Sequence, residues 1–503
     1  MKPLCGFVLA ALAWAAPTSD LSWQSDGPSV SLTKGEARHW TIDTLPIPDD
    51  VVLEVSALAV WQVTRILIAT RRGEVFLVDG ALDGTPMDAT FKKVMTGLQE
   101  PLGFLVEDDA NVLVVQRGEL SRLTDVDHDD HFESLETVCD DWRVGGNYHE
   151  YNFGPVRDGD GDLWITTNRA FGDTPFGAHN WRGFALRITA DGTMIPECSG
   201  LRSPAGVQTS PWGDVFYTDN QGEWCNASKL SQLIPGSFHG HPYGIASTRE
   251  ELWKYDEVRP PPNHVLMSDA AQRSPHFQLP AVWFPYDKVG RSPAGFAWDT
   301  TGGKFGPFEG HLFVTDQYGA EVVRVSLEQV NGHWQGAVYP FRKGLACGAI
   351  RCEFAPDGSL LVGETDRGWA SKGYQTYGLE RIAYSGTLPA ELHTMSATPD
   401  GFELRYTVPV DRERAQDPER YHLESYTYLH QSDYGSPEVE KRTLTITSCA
   451  VSEDGRTVRL VVDGLRTTFV HELHLDEQRT AEGAALLHDR AYYTLIERPA
   501  AKD

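Results

Sequence analysis

A glycine-led loop near residue 150 carries a side chain suited to proton transfer. His149 lies in the run Gly145-Gly146-Asn147-Tyr148-His149-Glu150-Tyr151, directly before an apolar segment. Imidazole titrates near neutral pH and takes up or releases a proton at little cost, so His149 is a candidate general base. Its neighbour Glu150 would point to the opposite face of a strand, so the group that orients the imidazole must come from elsewhere. A histidine hydrogen-bonded within its own loop is the structural alternative.

An acidic segment just before this loop has the spacing of a calcium-binding loop. Carboxylates occupy loop positions 1, 3, 5, 9 and 12, which are Asp125, Asp127, Asp129, Glu133 and Glu136. Calcium prefers oxygen ligands at this spacing, so the segment predicts a structural Ca²⁺ site. Position 6, where the sharp turn favours glycine, is Asp130. A solvated acidic turn is the alternative interpretation.

Two histidines and three tryptophans could contact a metal or a sugar. His239 and His241 alternate around a glycine and could share one face. No third ligand stands at a fixed spacing from them, which favours a sugar contact over a metal site. Tryptophan rings can stack on sugar rings, although packing within the fold is an equal alternative. The tryptophans in question are Trp142, Trp224 and Trp369.

A duplicated phrase indicates the elements that must position these residues. Arg202-Ser203-Pro204-Ala205-Gly206 recurs word for word as Arg291-Ser292-Pro293-Ala294-Gly295, and an apolar strand ending in Thr-Asp follows each copy. Further strand-end phrases occur at residues 68–73, 114–118, 164–168 and 362–368, which makes six. Units of about 45–50 residues made of short strands and turns are typical of propeller blades. The chain therefore predicts an all-β fold with a six-bladed β-propeller.

Closing such a ring would bring equivalent strand-end side chains toward its axis. The acids at these positions could hold a cation or receive sugar hydroxyls, and they are Asp219, Asp316 and Asp366. Asx turns at strand ends use the same residues for backbone hydrogen bonds, which is the structural alternative. The interval between the strand-end phrases at Gly222 and Gly319 is about double the spacing of the others. We interpret the excess, around residues 247–278, as an insertion, with a seventh blade as the competing count.

The pattern divides the chain into four regions. Residues 1–16, with Lys2 before an apolar stretch, predict a secretory signal peptide, so we expect an exported protein, either periplasmic or secreted. An N-terminal segment at 17–46 precedes the propeller at 47–386. Alternating strands and a tight Asp-Gly turn then predict a smaller antiparallel β-sandwich of immunoglobulin or fibronectin type at 387–503. This sandwich has no cluster of ligand-type residues, so a packing or adhesion role is expected for it.

The charge balance excludes two classes of partner. Lys and Arg number 44 against 71 Asp and Glu, a net charge of -27 that repels nucleic-acid phosphates. The same charge disfavours an anionic membrane surface, and no apolar run is long enough for membrane insertion. We therefore expect a neutral or cationic ligand. Six cysteines follow the signal peptide, and their spacing leaves the disulfide pairing open.

Several motifs follow one another in a characteristic order. The order begins with an Arg-x-Pro-x-Gly turn at Arg202, a strand and Gln221-Gly222, and it continues with the turn His239-Gly240-His241-Pro242-Tyr243-Gly244. Two further motifs lie outside this run, namely Asn152-Phe153-Gly154-Pro155 and Phe354-Ala355-Pro356-Asp357-Gly358. On these motifs, residues 47–386 resemble the soluble quinoprotein glucose/sorbosone dehydrogenase-like propellers. The whole chain also resembles exported planctomycete-type propellers that carry a C-terminal sandwich domain.

The resemblance implies a cofactor and assigns roles. Family members bind pyrroloquinoline quinone (PQQ) at the mouth of the propeller axis, and a histidine removes the sugar proton. On this basis the catalytic residues are His149 and Arg202, and the cofactor-binding residues are Gln221, Gly222, Gln317 and Arg351. The positions of residues at strand ends and in loops near the mouth, and not the resemblance, predict the substrate-binding residues, which are Trp224, His239, His241, Asp219, Asp316, Asp366 and Arg367.

The sequence also departs from the family at charged positions. Gln317 stands where the family has a lysine, and Gly348 and Ile350 stand where it has two arginines, which leaves Arg351 nearby. His149 lies three residues from the family's catalytic histidine. PQQ carries three carboxylates and needs fixed cations, for which arginine is the best suited side chain.

Three functions are therefore open from the sequence. The leading hypothesis is an exported propeller that acts on or binds a carbohydrate-like molecule or glycan, with PQQ-dependent sugar oxidation as the implied reaction. The second is a non-catalytic glycan-binding or scaffold propeller, which the missing cations favour. The third is a metal-dependent hydrolase or lyase whose axial cation is held by Asp219, Asp316 and Asp366.

Overall fold

The computed structural model describes residues 30–82, 86–172, 180–475 and 477–501. The predicted signal peptide at 1–16 lies outside the described residues. The six cysteines in the described ranges are all unpaired. The helices in these ranges are short, and none has the length and apolar character that crossing a membrane requires.

The first half of the chain builds regular four-stranded antiparallel sheets. Helix α1 (Val30–Glu36) and strand β1 (Trp40–Thr44) come first. The first sheet consists of β2 (Val55–Trp61), β3 (Arg65–Thr70), β4 (Val75–Asp79) and β5 (Thr90–Met95), with a 3-10 turn at Pro86–Asp88. The second consists of β6 (Phe104–Val106), β7 (Asn111–Val115), β8 (Leu120–Thr124) and β9 (Ser134–Cys139). The third consists of β10 (Asn152–Arg157), β11 (Leu163–Thr167), β12 (Phe184–Ile188) and β13 (Met194–Ser199).

The fourth sheet contains the insertion. Its region runs through β14 (Pro204–Thr209), β15 (Val215–Asp219), β16 (Ser228–Gln232), a 3-10 helix (Ile245–Arg249), β17 (Val265–Leu266), α2 (Met267–Arg273) and β18 (Val282–Phe284). The sheet has the order β14-β15-β16-β18, so the segment near residues 247–278 is inserted before its last strand. This segment forms no further four-stranded sheet, so the competing count of seven blades is not observed in the described part of the chain.

The N-terminal strand closes the fifth separate sheet. The next strands are β19 (Pro293–Trp298), β20 (Leu312–Asp316), β21 (Glu321–Val330), β22 (His333–Lys343), β23 (Ala349–Phe354), β24 (Leu360–Thr365) and β25 (Tyr377–Tyr384). Strand β1 pairs antiparallel with β25, and the sheet has the order β1-β25-β24-β23. The segment at 17–46 therefore contributes a strand to the propeller, which the sequence did not predict.

The C-terminal strands continue a propeller sheet. They comprise β26 (Leu392–Thr398), β27 (Gly401–Tyr406), α3 (Arg412–Ala415), a 3-10 turn (Pro418–Arg420), β28 (Tyr421–Thr427), β29 (Leu429–His430), β30 (Val439–Val451), β31 (Thr457–Asp463), β32 (Phe469–Leu475) and β33 (Arg490–Leu495). One eleven-stranded sheet has the order β19-β20-β21-β22-β33-β32-β28-β30-β31-β27-β26. The join is at β22, where Gly336, Ala337 and Val338 pair with residues of β33.

This join bears on the predicted blade count and on the predicted C-terminal sandwich. Five four-stranded sheets stand alone instead of six, and the remaining place in the ring is filled by β19–β22 of the eleven-stranded sheet. A separate C-terminal sandwich is likewise not confirmed. The physical reason lies in the lengths of β21 and β22, ten and eleven residues, about twice those of typical blade strands here. The extended β22 offers unpaired backbone groups at its edge, and β33 satisfies them.

Alternating side chains hold neighbouring sheets together around the axis. The first strands of the sheets pack in the order β2, β6, β10, β14, β19 and β23, and β23 returns to β2. Along β3, Ile66 and Ile68 pack toward the sheet formed by β1, β25, β24 and β23, whereas Leu67 and Ala69 pack toward the second sheet. This period of two is what a strand buried on both faces requires. The ring therefore brings the inner strands and the turns after the second strands to one opening.

Candidate functional site

A cavity of about 470 Å³ lies at the axis of the ring. It is lined by the inner strands, by the turns that follow the second strands and by the loop that carries His149. Its aromatic side chains are Tyr148, Tyr151, Phe153, Phe171, Tyr286, Trp369 and Tyr434. Aromatic walls with a few polar groups are typical of sites for small ligands.

His149 is held in one orientation at this cavity. Its Nδ1 lies 2.8 Å from the carbonyl oxygen of Arg169, and its Nε2 lies 3.0 Å from the Ser203 hydroxyl. The ring stacks on Phe171 with centroids 3.3 Å apart and planes 16° apart. A carbonyl only accepts, so Nδ1 carries the proton of the neutral ring and Nε2 keeps its lone pair. The acceptor that orients the imidazole is thus a backbone carbonyl.

The neutral form of His149 is favoured at physiological pH. Burial lowers its pKa well below the usual value, and the charges of Arg202, Arg169 and Arg182 lower it further. Its neighbour Glu150 is fully buried and accepts from the amides of Gly145, Gly146 and Asn147, away from the imidazole. His149 is therefore neutral with an unprotonated Nε2, which is the state from which a general base starts.

Arg202 depends on a glycine for its position. Its Nε and Nη2 donate to Oε2 of Glu223 at 3.1 and 2.9 Å. A Cβ on Gly222 would lie 1.9 Å from the Arg202 Cζ, so only glycine leaves room for this guanidinium. Rings of Phe171 and Tyr434 lie 5.1 and 5.3 Å from the same Cζ. The Arg-x-Pro-x-Gly and Gln-Gly motifs thus meet in space and fix one cation at the cavity.

The cavity is cationic although the protein is strongly acidic. Five arginines line it, and among the described lining residues Glu223 is the one carboxylate; the arginines are Arg71, Arg202, Arg291, Arg351 and Arg367. With a net charge of -27, the sequence led us to expect a neutral or cationic ligand. The local charge differs from that of the whole chain, because clustered guanidinium groups favour an anion.

Most of these arginines share their carboxylates with other arginines. Glu223 accepts from Arg169 and Arg202. Glu100 binds two guanidinium groups, those of Arg71 and Arg117. Glu54 likewise binds those of Arg72 and Arg367. Because two guanidinium groups share each carboxylate, positive charge remains in excess around the cavity.

Arg351 is used differently from the way the sequence suggested. Its guanidinium donates to four backbone carbonyls, those of Ser56, Leu102, Ala205 and Ile350, at 2.6 to 2.9 Å. No carboxylate pairs with it among the described residues, and burial lowers its pKa to about 9. Arg351 therefore ties inner strands of several sheets together beneath the cavity and presents little free hydrogen-bonding capacity to a ligand.

The strand-end acids bind backbone amides. Asp219 accepts from the amides of Arg202 and Ser203 at 3.1 and 2.7 Å. Asp316 accepts from the amides of Arg291 and Ser292 at 2.6 and 2.7 Å, which is the same arrangement in the second copy of the repeat. Asp366 accepts from the Cys347 thiol and the Gly348 amide. None of the three lines the cavity, so the geometry matches the Asx alternative.

The remaining predicted substrate and cofactor residues divide into two groups. Gln221, Gln317 and Arg367 line the cavity, whereas Trp224, His239, His241 and Gly222 are not among its lining residues. Gln221 donates to the Asn226 carbonyl and Gln317 to that of Thr365, so both amides brace the backbone. His239 and His241 are buried. Trp224 packs beside His430, with centroids 4.9 Å apart.

Four of the five predicted calcium ligands come together. Ligand oxygens of Asp125, Asp127, Asp129 and Glu133 all lie within 4.8 Å of one another, and Glu136 is not in the group. Asp125 is buried, and its carboxylate accepts from the amides of Asp129 and Asp130. Glu133 accepts from the Val126 amide. The loop is therefore closed by its own hydrogen bonds and keeps several oxygens available to a hard cation.

A loop from the C-terminal strands forms one wall of the cavity. Tyr434 lines the cavity beside Arg202, and its backbone pairs with that of Glu223. Next to it, the Gly435 amide donates to the Gly222 carbonyl at 3.0 Å, and the Trp224 amide donates to the Gln431 carbonyl at 2.8 Å. The C-terminal region therefore does more than pack, contrary to the prediction.

Sequence reasoning missed several cavity residues. Arg291 is the exact repeat counterpart of Arg202, and Arg71 lies within the strand-end phrase at residues 68–73, so both carried a readable signal. Arg291 lies with its Cζ 3.7 Å from the Tyr318 ring centroid, and its buried Nε has no partner in the described structure. Nothing in the local sequence marked Tyr434, because its position depends on the join between β22 and β33.

Comparisons with known proteins identify no family. No protein-family model matches the sequence, and no curated protein matches it. Among solved structures, the PQQ-bound aldose sugar dehydrogenase of Streptomyces coelicolor is 15% identical, covers 69% of this chain and 98% of its own, and gives a TM-score of 0.49.

Two further structures are similarly distant. The apo soluble aldose sugar dehydrogenase of Escherichia coli is 16% identical over 68% of this chain and 99% of its own, with a TM-score of 0.45. The PQQ domain of the Coprinopsis cinerea pyranose dehydrogenase is 10% identical over 68% and 97%, with a TM-score of 0.47. These likenesses are too distant to establish a function for this chain.

Proposed function

We propose that the protein binds a planar, multiply anionic quinone of the PQQ class in the axial cavity and oxidises a carbohydrate hydroxyl there. One observation carries the proposal: a neutral histidine with its Nε2 lone pair at the cavity, surrounded by an excess of guanidinium groups. A base and a set of fixed cations are what oxidation by an anionic quinone needs from the protein.

The side chains present fit such a group. PQQ has three carboxylates, and guanidinium groups bind carboxylates in a bidentate manner. Arg202, Arg291 and Arg71 would hold the carboxylates, and the aromatic walls would face the planar ring. Arg291 donates to the exposed Asp287 carboxylate through Nη1, and a ligand carboxylate would compete for that donor. These arginines would take the place of the cationic residues that the family has at the positions of Gln317 and Ile350. When bound, the quinone would accept the two electrons of the oxidation.

His149 would receive the proton. In the protein alone its Nε2 accepts from the Ser203 hydroxyl, and a sugar hydroxyl would take over that hydrogen bond. The Arg169 carbonyl keeps the proton of the ring on Nδ1, so the reactive nitrogen stays Nε2. Burial against Phe171 keeps the imidazole neutral before the reaction. The proton is then released to solvent through the open end of the cavity.

We also propose two supporting properties. The loop at Asp125 would bind a structural calcium ion, since four carboxylates lie within reach of one cation. The protein would be exported with removal of residues 1–16, and sequencing the N-terminus of the mature protein from its native host tests this directly.

The central experiment is reconstitution. Purified protein is incubated with PQQ and Ca²⁺, and cofactor uptake and dye reduction are measured with a panel of aldoses. We expect uptake by the wild type, and dye reduction that is lost in His149→Ala while uptake persists. Absence of uptake overturns the proposal. Sugar affinity without turnover in the wild type would instead support a non-catalytic glycan-binding propeller.

A further inference from the structure

A serine next to His149 forms an arrangement that sugar oxidation does not use. The Ser203 hydroxyl lies 3.0 Å from His149 Nε2, and His149 Nδ1 lies 2.8 Å from the Arg169 carbonyl. This is a hydroxyl, a base and a group that orients the base, in the order required of an activated serine nucleophile. Ser203 also lines the axial cavity, where a substrate can reach it.

The direction of the hydrogen bond follows from the acceptor at the other nitrogen. A carbonyl oxygen cannot donate, so His149 carries its proton on Nδ1 and accepts at Nε2. The Ser203 hydroxyl must therefore donate to the imidazole, which is the direction that prepares its oxygen for attack. Stacking on Phe171 keeps the ring from turning away.

The surroundings also suit the charge that would develop. The guanidinium Cζ atoms of Arg202 and Arg169 lie 5.1 and 4.8 Å from the centroid of the Phe171 ring, which stacks on His149. Positive charge in a water-poor site stabilises an oxyanion formed on an acyl group. The same excess of guanidinium groups favours a substrate that carries an additional anionic group.

The second copy of the repeat lacks this arrangement. Ser292 stands in an identical five-residue phrase, and its amide binds Asp316 just as that of Ser203 binds Asp219. No histidine nitrogen accepts from Ser292 among the described residues. The backbone setting is thus shared, and the histidine partner distinguishes Ser203.

We propose that Ser203 is a nucleophile and that the cavity hydrolyses carboxylic esters or lactones bearing an anionic group. This activity goes beyond the proposed oxidation and needs neither quinone nor metal. Its first half forms an acyl-enzyme: Oγ of Ser203 adds to the acyl carbon while its proton passes to His149 Nε2. The bond to the leaving oxygen then breaks, and that oxygen takes the proton from Nε2.

The second half restores the enzyme with one water molecule. His149 Nε2 takes a proton from water, and the hydroxide adds to the acyl carbon. The bond between that carbon and Oγ breaks, and Oγ recovers the proton from Nε2. The products are a carboxylic acid and an alcohol, or one hydroxy acid from a lactone.

The test uses the full chain without added PQQ. A fluorophosphonate probe is applied, and the labelled residue is located by peptide mass spectrometry. In parallel, hydrolysis of 4-nitrophenyl hemisuccinate, an anionic ester, is followed by absorbance. We expect labelling at Ser203 and hydrolysis above the buffer rate. Ser203→Ala and His149→Ala should each lower the rate by about 100-fold or more.

Controls separate this activity from other causes. Ser292→Ala should leave labelling at Ser203 intact. Ser203→Ala removes a single oxygen, and its thermal melting curve verifies that it folds. Labelling at serines other than Ser203, no labelling at all, or a Ser203→Ala rate equal to that of the wild type would each overturn the proposal. PQQ uptake is scored separately, so a failed oxidation and a failed hydrolysis are distinguishable.

Discussion

The contact between Gly222 and Arg202 allows a quantitative test of the cavity. A Cβ at residue 222 would lie 1.9 Å from the Arg202 Cζ, whereas ordinary contacts begin near 3.4 Å. In Gly222→Ala the guanidinium must therefore move by about 1.5 Å, which disrupts its two hydrogen bonds to Glu223 at 2.9 and 3.1 Å. Hydrogen bonds between charged groups contribute about 1.5–3 kcal/mol.

The side chain of Glu223 is 39% exposed, so screening reduces this contribution. A ligand carboxylate would meet Arg202 through charged hydrogen bonds of the same kind at this partly exposed position, so displacing Arg202 should cost about 1–2 kcal/mol of binding energy and raise the Kd for PQQ about 5–30-fold. Titration of PQQ by calorimetry measures this shift, and a melting curve controls for folding. An unchanged Kd in Gly222→Ala would falsify the assignment of Arg202 to the ligand.

A matched control lies in the second sheet. Gly118 stands in the equivalent strand-end phrase, and a Cβ there would meet only the Val144 Cγ2, at 3.9 Å. Gly118→Ala should therefore keep the wild-type Kd and melting temperature. If both alanine variants lose affinity equally, loss of glycine flexibility, and not displacement of Arg202, is the cause.

Three other results are expected. Buried His488 lies 2.5 Å from Glu391 and 3.1 Å from Glu36; burial opposes protonation, but these carboxylates outweigh it and raise the pKa to about 9. The contribution of this site to the free energy of unfolding is fully present below pH 6.5, and about 3 kcal/mol of it is lost as pH rises through 9. Urea unfolding of His488→Gln should show no such pH-dependent loss. Tyr434→Ala should raise the Kd for PQQ about 5–10-fold, and Tyr434→Phe should not, because only the ring is needed to face the planar quinone. Ca²⁺ should raise the melting temperature over chelator-treated protein, and Asp127→Asn should abolish that rise; a chelator-insensitive wild type contradicts the calcium site.

The sequence predicted the parts of the site that are local. The phrase that begins at Arg202 was recognised from its exact repetition and the Gln221-Gly222 pair from the family resemblance, and the two do meet in space. The sequence also predicted that Glu150 does not orient His149; the structure agrees for another reason, because both residues lie in the loop before β10 and Glu150 is held by the amides of Gly145, Gly146 and Asn147. The role of Arg351 could not be predicted, because it depends on three carbonyls that are distant in sequence, those of Ser56, Leu102 and Ala205.

The fold shows the same division between local and long-range information. Strand periodicity and the duplicated phrase predicted the propeller sheets, because alternation is encoded within each strand. The pairing of β1 with β25 and of β22 with β33 was not predictable, because sequence pattern fixes a strand's buried faces but does not name a distant partner for its edge. The cationic cavity was also hidden, because the total charge of an acidic protein gives no information about one site.

The two long-range strand pairings have a consequence for synthesis. A nascent chain leaving the ribosome has β1 early, but its partner β25 ends at residue 384. The edge of β22 stays unpaired for longer still, because its partner β33 begins at residue 490. Until then two sheet edges remain exposed, and exposed edges invite association with other chains. A translational arrest before residue 490 should therefore yield aggregation-prone fragments that depend on chaperones.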